Sequence, residues 1–366
     1  MAHAKLSPSA SSRWMVCPGS VHLAAGLPDE PSSKYAAKGT AIHELSEQCL
    51  AADRDPSSFI GTTVYDHVID DEMAAIADVY VSWIREAQGK KLYETRLSLE
   101  EVIPDCFGTA DALIMRPGQL TMADLKTGSG VKVDAEGNTQ LLCYALGAFI
   151  KYDWIYDFQT VTVVIIQPPL NHVDTWTITR DDLLQFRTQL REAYDNIVNK
   201  PELFVLSEKG CQWCRAKSNC PEQQRLAAEA AAADFESLDA DGLAYWLDKL
   251  SHVKSFIEAV ENRAKERLLQ GQYIDGWKVV EGRRSRSWKD EKAVELYLKN
   301  NGYQELIYSK PKLLTVAQME TALKKEAVNL SEFVEISAGN PTLARADDRR
   351  SSVDKASQAA NDFAAN

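Results

Sequence analysis

Residues 107–130 read FGTADALIMRPGQLTMADLKTGSG, and this stretch decides the fold. Two β-prone runs, FGTADALIMR and QLTMADLKTG, flank a short Pro-Gly turn, the pattern of two adjacent strands. Asp111 lies in the first run, and Asp124 and Lys126 lie in the second. Residues two apart on a strand face the same side, so Asp124 and Lys126 project together toward one cleft. Two acids can hold a divalent cation through hard oxygen ligands, and the Leu125 carbonyl is a further candidate ligand. Lys126 is then placed to hold an attacking water or to stabilise transition-state charge. The GSG that follows favours close backbone approach, as to a phosphate.

Working outward, KLYETRLSLEEV supplies a third strand and completes an antiparallel meander. Glu94 on that strand could also face a metal, although a solvent-facing glutamate is the commoner outcome. Upstream, KGTAIHELSEQCLAA repeats Ile42, Leu45 and Cys49 near helical spacing, which turns His43 sideways from a helix as a possible nitrogen ligand. DDEMAAIADVYVSWIREAQ reads as a second helix with Met73, Ile76, Val79, Tyr80, Trp83 and Ile84 as its apolar stripe. Downstream, NTQLLCYALGAF sets Gln140 and Tyr144 four apart on one helical face beside the same site. TVTVVIIQPP and HVDTWTITR are strands, and RDDLLQFRTQLREAYDNIVNK is a helix with an acidic start. The order implies an α/β (α+β) fold, a mixed central sheet flanked by helices.

The chain has 366 residues, 45% hydrophobic and 26% charged, a composition that argues against wholesale disorder. Its net charge of -12 speaks against polyanion binding by the whole surface. A local groove with a bound cation is still compatible, because the ion is part of the local charge. No apolar run approaches the roughly 20 residues that span a bilayer. The start, MAHAKLSPSASSRWMVC, has no secretory h-region, so the expected compartment is the cytoplasm, with no membrane partner.

Seven cysteines, an odd number, do not suggest a disulfide framework in such a chain. Cys49, Cys106 and Cys143 have apolar neighbours and read as small core residues. Cys211, Cys214 and Cys220 form a tight group in GCQWCRAKSNCP, and Cys17 stands in WMVCPGS. Four thiolates bind zinc or an iron-sulfur cluster, and spacing alone does not choose between them.

The ordered set GTAIHEL, GTADALIM, ADLKTG and QLLCY resembles the RecB-like branch of the PD-(D/E)XK nuclease superfamily. The similarity is closest to members with an iron-sulfur cluster, and to a phage-encoded group among them, and it covers about residues 5–225. It implies a restriction-endonuclease-like core in which His43, Asp111 and Asp124 bind Mg2+ or Mn2+ and Lys126 is catalytic. Gln140 and Tyr144 would orient the site or DNA. Ala110 stands where the eponymous motif has proline, a departure this branch tolerates because the carboxylate does the chemistry. The resemblance also implies that Cys17, Cys211, Cys214 and Cys220 hold a structural [4Fe-4S] cluster. The expected activity is a metal-dependent DNase, an exonuclease acting on single strands or DNA ends in phage recombination, replication or DNA processing. The alternative is a non-catalytic DNA-binding or scaffold protein that retains the fold.

Domain boundaries are expected at 1–225 for the nuclease and 235–340 for a mainly helical C-terminal module, with 341–366 a disordered tail. Within the module, Arg283, Arg284, Arg286 and Lys289, with Trp288, form a basic hairpin suited to phosphate contacts and stacking on a strand. Its long helices admit an oligomer or a phage single-strand-binding or recombination partner.

Overall fold

The structure is a computed structural model that describes residues 4–27 and 34–280, together with Asn300. The chain divides into two units, residues 1–280 and 281–366. The expected boundary near residue 225–235 falls inside the first unit. The basic hairpin residues Arg283, Arg284, Arg286 and Lys289 and the tail lie outside the described residues.

Short helices α1 (Ser11–Trp14) and α2 (Gly19–Ala24) precede the long α3 (Lys34–Ala52). A two-residue hairpin follows, β1 (Thr63–Val64) with β2 (His67–Val68), and then α4 (Asp71–Glu86). Asp70 caps α4 by accepting from the Met73 amide, and Asp71 and Glu72 complement the positive helix end. Met73, Ile76, Ala77, Tyr80 and Ile84 are the buried stripe, whereas Val79, expected to belong to it, is exposed.

The meander forms as expected: β3 (Lys90–Ser98), β4 (Phe107–Arg116) and β5 (Gln119–Leu125) pair antiparallel in sequence order. Helix α5 (Thr139–Tyr156), capped by Asn138, then carries the chain to β6 (Thr160–Gln167), which pairs with β5 in parallel. β7 (His172–Thr179) closes the five-stranded sheet as an antiparallel edge. Near-continuous burial of β6 matches a central strand covered on both faces, and the alternating exposure of β7 matches an edge. Helix α6 (Arg180–Asn199) opens with a reciprocal Thr179–Asp182 capping box.

Two apolar layers sandwich the sheet. On one face α5 and α6 pack Leu146, Phe149, Phe186 and Leu190 against Leu113, Met122 and Val163. On the other, α3 and α4 pack Ile42, Leu45, Tyr80 and Ile84 against Ala112, Ala123, Leu125 and Val164. Helices α7 (Glu208–Gln212), α8 (Pro221–Ala232) and α9 (Ala240–Leu269) complete the described part, and α9 packs on the cysteine-bearing segment that includes Lys217–Asn219. The stretch 240–269 is one helix.

One irregularity shapes the sheet. Tyr93 pairs with Ala112 and Thr95 with Ala110, leaving Glu94 opposite Asp111 without a ladder pair. The period of two breaks there in both strands. Leu113, Met115 and Ala110 belong to one layer, while Ala112 and Ile114 belong to the other. Glu94 has φ 39, a left-handed value that costs a non-glycine residue about 1–3 kcal/mol and is concentrated at functional sites.

Candidate metal centre

At the same level β4 and β5 part. Their ladder ends at Ala112 and Ala123, and the Leu125 amide donates instead to Asp111 Oδ2 at 2.8 Å. β5 runs on beside β6, with the Lys126 amide donating to the Ile166 carbonyl at 2.8 Å. The split opens a cleft floored by Asp111 and roofed by α3.

His43 Nδ1 lies 3.4 Å from Asp111 Oδ2. His43, Glu94 and Asp111 each offer a ligand atom, and these atoms lie within 4.8 Å of one another. Asp124, only 3% exposed, is turned toward the other side of the cleft. Its Oδ2 is 2.7 Å from Lys126 Nζ, an ion pair whose alignment falls short of a hydrogen bond. Gln140 Nε2 donates to Asp124 Oδ1, and Lys126 Nζ donates to Gln140 Oε1, each at 3.4 Å. Tyr144 is buried one turn beyond Gln140 on α5. Of the expected set, His43 and Asp111 line the cleft, Asp124, Lys126 and Gln140 form a linked network beside it, and Leu125 reaches Asp111 through its amide and not its carbonyl.

Two glycines of the quoted motifs allow this approach. A Cβ at Gly39 would sit 2.8 Å from Thr127 Oγ1, so glycine lets α3 press on the end of β5 one turn before His43. A Cβ at Gly108 would meet the Tyr144 ring at 2.9 Å.

The electrostatics suit a cation. Glu94 is pushed up to about 8 by burial, then by the charges of Asp111, Glu47, Glu44 and Asp124. Burial and Asp124 raise Asp111 to about 6, against the opposing pull of His43, the Leu125 amide and Lys126. Burial disfavours the Lys126 ammonium, but Asp124 and Asp111 outweigh it and leave its pKa above the ordinary lysine value. Lys126 is thus a fixed positive charge at neutral pH. Glu44 and Glu47 also line the cleft, along with His43, Glu94, Asp111 and Thr127. Acids held together at such a cost could hold a divalent ion, and the donor types would suit Mg2+ or Mn2+, the imidazole inclining the set toward Mn2+.

Nothing in the amino-acid sequence signals the left-handed backbone of Glu94 or its place in the cleft. Glu47 carried a signal, standing four residues after His43 on the same helix face.

Behind Lys126 the loop 127–138 is fastened at several points. Buried Gln167 donates to the Gly128 and Val131 carbonyls at 2.7 and 2.8 Å and accepts from the Val133 amide at 3.0 Å. His172 bonds the Val133 carbonyl, and Asp174 accepts from the Ala135 amide. Asp134, His172 and Asp174 also offer ligand atoms within 4.8 Å of one another, and these bonds give His172 and Asp174 a structural task.

Cys49, Cys106 and Cys143 are buried in the core as expected. Cys17, Cys211, Cys214 and Cys220 line one small cavity with Arg13 and Gln223. Two sulfurs accept backbone N–H groups: Cys17 from Val205 at 3.4 Å and Cys211 from Ser207 at 3.5 Å. Amides aimed at sulfur stabilise thiolates. Both side-chain polar atoms of Gln223 are buried without a partner beside these thiols. Among the described residues no three cysteine sulfurs lie within 4.8 Å of one another, so they do not converge as ligands of a single ion would. The four thiols share one small cavity but are not arranged as a cluster site.

Among the described residues no helix is long and apolar enough to cross a membrane. Among solved structures, that of SSO0001 is similar at 14% identity, over 56% of this chain and 92% of that one, with a TM-score of 0.25. A family model described as "Protein of unknown function (DUF2800)" matches residues 3–351. With nearly the whole chain matched, the protein belongs to the DUF2800 family.

Proposed function

We propose that this chain is a divalent-metal-dependent deoxyribonuclease on a PD-(D/E)XK core. One observation carries the reading: His43, Glu94 and Asp111 converge within ligand distance beside the Asp124–Lys126–Gln140 network. A bound Mg2+ or Mn2+ supplies Lewis acidity toward the phosphate and activates water. His43, Glu94 and Asp111 would hold it, with Asp124 the adjacent carboxylate. Lys126, protonated and oriented by Asp124 and Gln140, presents positive charge to the pentacovalent phosphate as negative charge builds. The cleft acids Glu44, Glu47 and Asp111 repel a bare polyanion, so a bound cation would favour substrate entry.

The motif resemblance supports an exonuclease on single strands or DNA ends, in phage recombination, replication or DNA processing in a host cytoplasm. It also supports a [4Fe-4S] cluster on Cys17, Cys211, Cys214 and Cys220. That group would tie residues 17–24 to 203–220, segments already joined by Gly19 N to Leu203 O at 2.9 Å and by Val205 N to Cys17 Sγ. The test is digestion of end-labelled single- and double-stranded DNA with Mg2+ or Mn2+. Asp124→Ala and Lys126→Ala should each lower the rate by about a hundredfold or more. Full cleavage by both variants refutes the site, and metal binding by a wild type that cleaves no DNA favours a scaffold.

A further inference from the structure

His172 and Asp174 stand two apart on β7, so the period of the strand turns both to one face, while Val173 between them is exposed. Both are half-buried, and both bond the loop that leaves β5 after Lys126 and enters α5 just before Gln140. From that loop Asp134 completes a set of three: each side chain offers one ligand atom, and the three atoms lie within 4.8 Å of one another. The backbone orients two of these donors in advance. His172 Nε2 lies 2.9 Å from the Val133 carbonyl, and a carbonyl only accepts, so that nitrogen carries a proton and fixes the tautomer of the neutral ring. An imidazole held in one tautomer by a backbone carbonyl is the usual state of a metal-bound histidine. Asp174 Oδ2 accepts from the Ala135 amide at 2.8 Å, which orients the carboxylate and keeps its second oxygen for another partner. Those loop bonds do not require Asp134. Its carboxylate is nonetheless brought within ligand distance of Asp174, an approach that a cation between them turns from repulsive to favourable. Lys132 pairs with Asp134 at 3.6 Å, but both side chains are more than half exposed, and such a surface pair is weak and easily displaced.

We propose that Asp134, His172 and Asp174 form a second divalent-cation site, which latches the 127–138 loop to β7. One imidazole with two carboxylates is a mixed nitrogen and oxygen set, suited to a transition metal such as Mn2+ rather than to the all-oxygen preference of Ca2+ or Mg2+. The site shares no residue with the cleft at His43, Glu94 and Asp111. Its effect reaches the cleft through the chain: the latched loop spans from Lys126 to Gln140, whose side chains meet at 3.4 Å. A cation there ties down the connection between two members of that network, and it does so whether or not the cleft hydrolyses DNA.

Asp134→Asn is the decisive variant, because it removes a ligand charge and leaves the loop bonds of His172 and Asp174 in place. The full-length wild type, Asp134→Asn, Asp111→Asn and the double variant are titrated with Mn2+, bound ions being counted from the loss of the free-ion electron paramagnetic resonance signal. Mn2+ is a poor partner for thiolates, so the cysteines do not enter the count. The wild type should bind one Mn2+ more than Asp134→Asn, with metal-free melting temperatures alike, and Asp111→Asn should keep an ion that the double variant loses. With Mn2+ at about ten times its dissociation constant, exchange of the Val133 and Ala135 amides should slow about tenfold in Asp111→Asn and not at all in the double variant. Equal counts in wild type and Asp134→Asn at millimolar Mn2+ overturn the second site, as does exchange at Val133 and Ala135 that ignores the ion. Failure of the cleft reading looks different: wild type and Asp111→Asn then bind the same ion, and its loss in Asp134→Asn supports the second site alone.

Discussion

Cation binding should expel protons, by an amount fixed by the acids of the cleft. With Glu94 near 8 and Asp111 near 6, at pH 7 the first is about nine-tenths protonated and the second about one-tenth. A divalent ion needs both as carboxylates, so Mn2+ should displace about one proton per site at pH 7. The release should rise to about 1.5 at pH 6 and fall below about 0.3 at pH 8.5, with affinity climbing on the order of a hundredfold across that range. Calorimetry in buffers of different ionisation enthalpy reads the release directly. Glu94→Gln should abolish most of it at pH 7 while weakening binding. The metal-free protein should behave in the opposite sense. Both acids have folded pKa values above their unfolded ones, so the fold binds more protons and loses stability as pH rises from about 4 through 8. Saturating Mn2+ should remove that decline. Zero proton release at pH 7, or affinity flat from pH 6 to 8.5, refutes the coupled-acid site.

Gly108→Ala drives a methyl into the Tyr144 ring, and urea unfolding should show a loss of about 1–3 kcal/mol, against the gain that an unhindered strand alanine would give. Gln167→Leu removes three bonds to the loop behind Lys126 and orphans the Val133 amide. It should cost about 3 kcal/mol and raise amide exchange at Val133 selectively; unaltered exchange there contradicts the stapling role. Anaerobic purification should yield a brown protein with iron and sulfide, bleached in Cys214→Ser. Stoichiometric zinc without iron rejects the cluster.

The core was legible because its elements carry strong local signals. The Pro-Gly turn between β4 and β5, the unbroken apolar run of β6 and the stripe Met73–Ile76–Tyr80 each follow from period and composition. The parallel β5–β6 pair required a crossover, and α5 supplied it. What escaped detection depends on backbone detail or distant partners. The period-two rule sends Glu94 to solvent, and only a left-handed φ brings it to Asp111. Gln167 reads as an ordinary strand residue, since its partners are more than 30 positions away. The boundary near residue 225–235 followed an alanine-rich composition shift, whereas α9 returns to pack on the cysteine-bearing segment.

The paired break at Glu94 and Asp111 also limits how the chain length can change. Each strand carries one residue more than its alternation needs, at the same rung. Deleting Glu94 alone would restore alternation in β3 but leave Asp111 as an unmatched extra residue in β4, and deleting Asp111 alone would leave Glu94 unmatched in β3. Only loss of both restores a regular ladder, and it removes two acids of the cleft together. An indel in either strand is therefore tolerated only with its partner, so relatives that keep the sheet should gain or lose this rung as a unit.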